Sequence, residues 1–435
     1  MGCRRVILAI HRKSKTNLNV MINKAISRIC QAIVFALLIG GWAIAGQAQN
    51  GATLQLQVDV VYLASDLLQG RETGKKGERM AADYIAYRFE EIGLEPKGYG
   101  GEWHQDFEVQ YKAHPHAKET ERRTARNVMG YLDNGAEYTV VIGAHYDHLG
   151  HGIMGSRHTG EPAIHNGADD NASGVAGLLR LAEALSQGRA PGNNYLFIAF
   201  SGEEMGLFGS KYYVKNPTVN LGKVNYMLNM DMVGRLNAEK TLSVNGAGTS
   251  PRWGELLPEL AVGGISTVIS ESGIGPSDHT SFYLEDIPVL HFFTGQHDDY
   301  HKPEDDAELV NYKGLVLTTD FILALIEELD GEGKLPFSKT KDEQESRRPA
   351  EYKVTLGVMP DYVFQGKGMR IDGVMQGRTA DKAGLEKGDV VLRIGDTDVE
   401  DIYGYMEGLA KFEKGDKTTV VVKRGEEELE LEVTF

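Results

Sequence analysis

The sequence predicts an α/β protein: a three-layer sandwich around a central mixed, mostly parallel sheet, followed by a smaller, mainly β domain. Three observations carry this. Short apolar runs such as Tyr195–Phe200 (YLFIAF) have the continuous character of strands buried on both faces. Between such runs lie stretches of helical periodicity, at Met80–Ile92, Asn171–Leu185 and Leu315–Leu329, and alternation of the two element types means a layered α/β sheet. Residues 331–350 are charged and lack apolar periodicity, so they read as a linker, and the chain beyond them is strand-rich.

Taken in order, Leu63–Leu68 and Met80–Ile92 read as helices on either side of the loop GRETGKKGE, with Gly93 as a C-cap. The segment 103–110 alternates like a strand. From Asn127, the segments NVMGYL and EYTVVIGAHYD are separated by Asp133, Asn134 and Gly135, a turn signal that predicts a hairpin. Further strands are expected at Val224–Asp231, Thr241–Val244, Thr267–Ser270 and Pro288–Phe293, with helices at Trp253–Ala261 and Ser277–Leu284 between them. The expected organisation is a leader over 1–48, a catalytic domain over 52–330, the linker 331–350 and a second domain over 351–435.

The leader stands apart in composition. It holds seven basic residues and no acid, then the apolar run Ile29–Ala45 and small residues at Ala43, Ala45, Gly46 and Ala48. A basic region, an apolar core and a small-x-small end are the parts of an export signal, so the protein is expected to be exported, periplasmic or extracellular, without stable membrane insertion after cleavage. Met1 and Met21 are both possible starts. Cys3 and Cys30 are the two cysteines of the chain and both lie in this leader, which leaves the mature protein no disulfide, thiol nucleophile or cysteine-ligated metal. Without the seven leader cations, 39 basic residues face 62 acidic ones, a net charge of −23. So acidic a surface excludes nucleic acid as a partner.

Five motifs concentrate chemistry: GAHYDH (143–148), GADDNASG (167–174), FSGEE (200–204), NMDMVG (229–234) and YHKPED (300–305). All fall where a predicted strand or Gly-rich turn ends, which is where ligands gather in α/β sheets. Paired divalent ions need a bridging carboxylate and further imidazole or carboxylate ligands on each. His145, Asp170 and Asp231 serve one ion on this reading, and Glu204, Asp170 and His301 the other, with Asp170 bridging. Two dications, three carboxylates and a shared hydroxide sum to a neutral core, which suits a partly dry cleft. Asp169 competes with Asp170, and His297, Asp298 and Asp299 compete with His301, on composition alone. Glu203 and Glu204, if extended, point to opposite sides, leaving Glu203 free as a general base. Asp147, two residues after His145, is placed to orient its imidazole. His148, His151, His158 and His165 read as polar residues on a loop, and Phe282, Tyr283, Phe292 and Phe293 as core.

Together these motifs resemble the dizinc aminopeptidase family, which includes bacterial leucyl aminopeptidases and, more distantly, glutamate carboxypeptidase and glutaminyl cyclase. The resemblance covers about residues 55–330. It implies that His145, Asp170, Glu204, Asp231 and His301 bind two Zn2+ per subunit and that Glu203 is the base. The family register favours Asp170 over Asp169, and Pro303 after His301 favours that histidine over His297. Ser277, Asp278 and His279 resemble a supporting segment of the family. The domain some relatives insert before the first motif is missing here, as are the cysteines some carry near Ser277.

Residues 351–435 resemble a PDZ domain of the permuted bacterial kind, through Ala383, Gly384, Leu385, Gly388, Asp389, Val390, Val391, Ile394 and Gly395. Leu356, Gly357 and Val358 match the loop and strand where such domains take up a peptide C-terminus by strand addition. The function expected is exported zinc aminopeptidase, acting on peptides with a free N-terminus. The rivals are a carboxypeptidase or dipeptidase, a glutaminyl cyclase on the same fold, and a non-catalytic peptide-binding protein. The last predicts lost ligands, and none is lost.

Overall fold

The computed structural model describes residues 53–111, 121–340, 354–360, 364, 366–374, 377–400 and 402–435. The leader, including both cysteines, and residues 341–350 of the expected linker lie outside them. Among the described residues no helix is long and apolar enough to cross a membrane.

The larger sheet has nine strands: β1 (Glu95–Pro96), β2 (His104–Tyr111), β3 (Glu121–Leu132), β4 (Thr139–His145), β5 (Asn194–Phe200), β6 (Val224–Met230), β7 (Thr241–Asn245), β8 (Ser266–Ser270) and β9 (Val289–Phe293). Their order is β1-β3-β5-β4-β6-β9-β7-β8, with β2 paired to the outer part of β3. The centre, β5-β4-β6-β9, is parallel, and the sheet turns antiparallel at β3 and at β7. The fold class is therefore the one the sequence predicts.

Alternation along the central strands builds the two cores. Val140, Ile142 and Ala144 of β4 and Tyr195, Phe197 and Ala199 of β5 face one side, where the helices Lys76–Ile92, Gly174–Ser186 and Tyr312–Glu328 cover them. Val141 of β4 and Leu196, Ile198 and Phe200 of β5 face the other, against Tyr213, Phe282 and Tyr283 of the helices Phe208–Lys215 and His279–Tyr283. Successive side chains of a strand point to opposite faces, so an unbroken apolar run serves both layers. The expected core aromatics are buried accordingly.

Three expectations are corrected. β3 and β4 form no hairpin, because β5 lies between them, antiparallel to one and parallel to the other. The turn at Asp133–Gly135 reverses the chain, but the fully apolar β5 takes the central place that a two-sided core demands. The first helix spans 53–63, and Asp66–Arg71 is a chain of tight 3-10 turns instead. Finally, the first part of the expected linker runs along the catalytic domain: Leu335 is buried and its N–H donates to Asn225, while the Thr340 N–H donates to the Tyr283 hydroxyl. Gly93 does cap its helix in the left-handed region, at φ 89°.

The second sheet comprises β10 (Val358–Pro360), β11 (Met369–Val374), β12 (Val390–Ile394), β13 (Thr397–Asp398), β14 (Lys417–Arg424) and β15 (Glu427–Thr434), ordered β10-β11-β12-β14-β15 with β13 beside β12. Every pairing is antiparallel, and β10 is an edge. Its core is apolar, built from Leu356, Ile371, Val391, Ile394, Val420 and Val422.

Candidate metal centre

Three adjacent parallel strands deliver the first ligands to one edge of the sheet. His145 ends β4 and stands opposite Phe200, the end of β5. Asp231 follows the last residue of β6. Past β5, Gly202 (φ +72°) reverses the chain, and the Glu203 carbonyl accepts from the Gly206 and Leu207 N–H groups. Glu203 and Glu204 thus sit in a tight turn, not in the extended segment predicted. Asp170 lies in the irregular turn Ala168–Ser173 that opens the helix Gly174–Ser186. Gly167 makes that turn possible: at φ +56°, an added Cβ would come within 2.2 Å of the Asp170 carbonyl oxygen. His301 comes from the loop after β9 and holds a left-handed backbone at φ 55°, as does Met232 at φ 53°. Side chains seldom tolerate that region, and strain of this kind gathers at functional sites.

The five predicted ligands meet. The His145 Nε2 is 3.3 Å from Asp170 Oδ1 and 3.3 Å from Asp231 Oδ1. The His301 Nε2 lies 3.1 Å from Asp170 Oδ2 and 3.2 Å from Glu204 Oε2. Asp170 therefore offers one oxygen to each group, the arrangement a bridge requires. In both imidazoles the other nitrogen is engaged: His145 Nδ1 with the Asp147 carbonyl at 3.2 Å, and His301 Nδ1 with the Gly155 carbonyl at 2.9 Å. A carbonyl can only accept, so each Nδ1 donates there, which leaves each Nε2 facing the carboxylates.

Asp147 supports the site differently from the sequence reading. Its carboxylate stays 3.8 Å from the His145 ring, because its oxygens are taken by the Thr73 hydroxyl (2.9 Å) and the Glu203 N–H (3.1 Å). It orients the imidazole through its main chain and steadies Glu203 through its side chain. Asp169 is drawn away from the centre, accepting from the Gly234 N–H and the Ser173 hydroxyl. His297 faces Asp169 at 3.2 Å, so neither sequence competitor reaches the ligand cluster.

Several contributors escaped the sequence reading. His148 is buried, with Nδ1 2.8 Å from Glu204 Oε1, and its donor atom groups with Asp170 and Glu204 closely enough to hold an ion. Arg71 is 1% exposed beneath the site and donates to the carbonyls of Leu63, Tyr146, Asn166 and Gly167. Asp305 takes the N–H groups of Asp169 and Asp170 on one oxygen, at 2.9 and 3.1 Å, fixing the turn that carries the bridge. Glu78 accepts from the Ser201 hydroxyl and the Gly74 N–H. The last residue of YHKPED was the one available signal for Asp305; nothing local marked Arg71.

Charge at the site is far from balanced by the protein itself. Burial pushes Glu203 well above the usual carboxylate range, with Asp231, Asp278 and Glu204 adding to it against His145. Burial likewise lifts Asp278 to about 7. Despite burial, the His301 charge holds Glu204 at about 2, and His145 and His301 hold Asp170 well below its ordinary value. Both imidazoles are driven upward by the carboxylates against the effect of burial. Crowded buried acids beside imidazoles form a setting that favours a bound cation. The donor atoms of His145, Asp170 and Asp231 lie within 4.8 Å of one another, as do those of His148, Asp170 and Glu204. Hard oxygen and imidazole nitrogen donors fit a divalent transition metal.

Fold and site together define an α/β protein with a shelf of candidate metal ligands at the ends of its parallel strands. Comparison with known sequences narrows the class. Residues 127–326 match peptidase family M28 and residues 343–435 match a PDZ domain. The chain thus carries a peptidase family M28 domain followed by a PDZ domain. Leupeptin-inactivating enzyme 1 of Streptomyces exfoliatus is 34% identical over 158 residues, covering 36% of this chain and 35% of that protein. Aminopeptidase YwaD of Bacillus subtilis is 29% identical over 183 residues, 39% of each chain. The chain thus spans well under half the length of these two relatives. Among solved structures, a Zn-dependent exopeptidase from Parabacteroides distasonis superposes with a TM-score of 0.51 at 19% identity, covering 63% of this chain and 97% of that one. The zinc aminopeptidase BSAP of Bacillus subtilis gives 0.51 at 18% identity, over 65% and 95%. These likenesses establish the fold of the larger domain.

Proposed function

We propose that the protein is an exported zinc aminopeptidase that removes N-terminal residues from peptides. The observation that carries this reading is the position of Asp170, one carboxylate oxygen toward His145 and the other toward His301. His145, Asp170 and Asp231 would hold one ion and Glu204, Asp170 and His301 the second, with His148 keeping Glu204 oriented. Zinc in such a pair would polarise the scissile carbonyl and acidify the attacking water. Zinc is the metal of the Parabacteroides distasonis exopeptidase and of the Bacillus subtilis aminopeptidase BSAP.

The residues of the chain supply the rest. Glu203, whose carboxyl burial lifts well above the usual carboxylate range, takes a proton from the attacking water. It then returns that proton to the departing amine as the peptide C–N bond breaks, releasing one free amino acid and a shortened peptide. Asp147 holds the Glu203 main chain during both transfers. An ion in such a pair would also hold the free α-amine of the substrate, which selects chain ends over internal bonds. The leader over 1–48 supports export, and the edge strand β10 supports peptide uptake by the PDZ domain.

The decisive assay incubates purified protein with peptides bearing free or acetylated N-termini, with and without a chelator. Stepwise loss of N-terminal residues, abolished by acetylation and by chelator, is expected. Release from the C-terminus instead would establish the carboxypeptidase rival.

A further inference from the structure

The cavity at the candidate ligands is not walled by the peptidase domain alone. It has a volume of about 260 Å³, and opposite His145, Asp231 and Glu203 it is lined by Val358 and Pro360 of β10. The β10–β11 pairing is irregular between Met359 and Pro360, and Val358 also belongs to the PDZ core, so Pro360 is the more open of the two wall residues. β10 is the edge of the PDZ sheet, paired with β11. A second contact joins the same two regions. The Lys387 ammonium lies 2.7 Å from Asp298 Oδ1, and Asp298 stands three residues before His301 in one loop. An exposed pair of this kind adds little stability. Its significance is positional, since it links the PDZ domain to the segment that carries a candidate ligand.

The lining is divided in character. Besides the carboxylates and imidazoles, Met232, Pro276 and Phe293 contribute apolar surface, and Val358 and Pro360 add to it. The volume falls below the roughly 300–1,000 Å³ of pockets for drug-sized ligands. It therefore suits one or two residues of a peptide, not an extended one.

Building on the aminopeptidase reading, we propose that the PDZ domain is part of the substrate pocket. Val358 and Pro360 contact the apolar side chain of the residue being released, so the second domain sets the side-chain preference of the first. The PDZ edge then serves catalysis within its own chain, and what it contacts is the substrate itself.

The test uses the full-length, metal-loaded protein with leucyl and glutamyl p-nitroanilides. Pro360→Lys places a cation on the apolar wall, and the leucyl-to-glutamyl ratio of kcat/KM is expected to fall at least tenfold with metal content unchanged. A folded variant that keeps the wild-type ratio overturns the inference. A binding readout accompanies it. Because Cys3 and Cys30 both lie in the leader, Pro360→Cys is the only thiol of a chain lacking residues 1–48. Its maleimide labelling is expected to slow at least fivefold under saturating L-leucine hydroxamate, and undiminished labelling again overturns the inference. Failure of the wild type to cleave either unblocked substrate would sink the aminopeptidase reading instead, which keeps the two outcomes separate.

Discussion

The metal shelf and the PDZ domain treat buried charge in opposite ways. In the PDZ domain the buried acid Asp389 is fully engaged: Arg424 reaches both of its oxygens, at 2.7 and 2.8 Å, and the Glu386 N–H donates to it as well. On the shelf, burial forces both Asp278 and Glu203 upward in pKa, with acidic neighbours adding to it. Where a protein neutralises its own buried acid, the role is structural. Where it leaves several unneutralised in one pocket, a cation or a proton is meant to arrive.

That contrast can be broken most severely at Glu203. Glu203→Gln should lower kcat by about 10²–10⁴-fold, the range for losing a general base, while elemental analysis finds the metal retained. A variant with most of its activity left would return Glu203 to a merely structural acid like Asp389. Next is Arg71→Met, which strands the four carbonyls that Arg71 serves. Unfolding in urea should show a loss of about 3–5 kcal/mol, as for breaking other buried charged networks. Asp389→Ala should be milder, near 2 kcal/mol, because Arg424 is a third exposed and recovers water. Metal content should not change, and a drop in it would mean that the two regions are not as different as their charges imply.

The smallest effect is a slope with pH. Burial raises Glu78 from 4.5 to about 8. Between those values the folded protein holds a proton the unfolded chain has released, so stability falls as pH rises from 4.5 to 8. Glu78→Gln should flatten the melting temperature across pH 5–8, and an unaltered slope would place the titrating group elsewhere.

Much of the site was legible because each motif is local: an apolar strand ends and a ligand follows within a few residues. His145, Glu204 and Asp231 sit where that rule puts them, and Asp170 and His301 converge on them. Arg71 was illegible for the opposite reason. Its partners lie 8 to 96 residues away, and a buried arginine in a Gly- and Lys-rich loop looks like a solvated one. The β3–β4 hairpin failed similarly, since a turn signal knows nothing of the strand that later fills the gap.

By itself, then, the sequence determined the α/β class, the peptidase-then-PDZ order and which residues were candidate ligands, because periodicity and residue type are properties of short segments. Tertiary structure alone decided that Asp147 braces Glu203 instead of the His145 ring, that Asp305 and Arg71 hold the shelf from below, and that β10 walls the pocket. Each of these depends on groups far apart in the chain competing for the same few hydrogen bonds and the same buried space, and only the folded packing settles which of them meet.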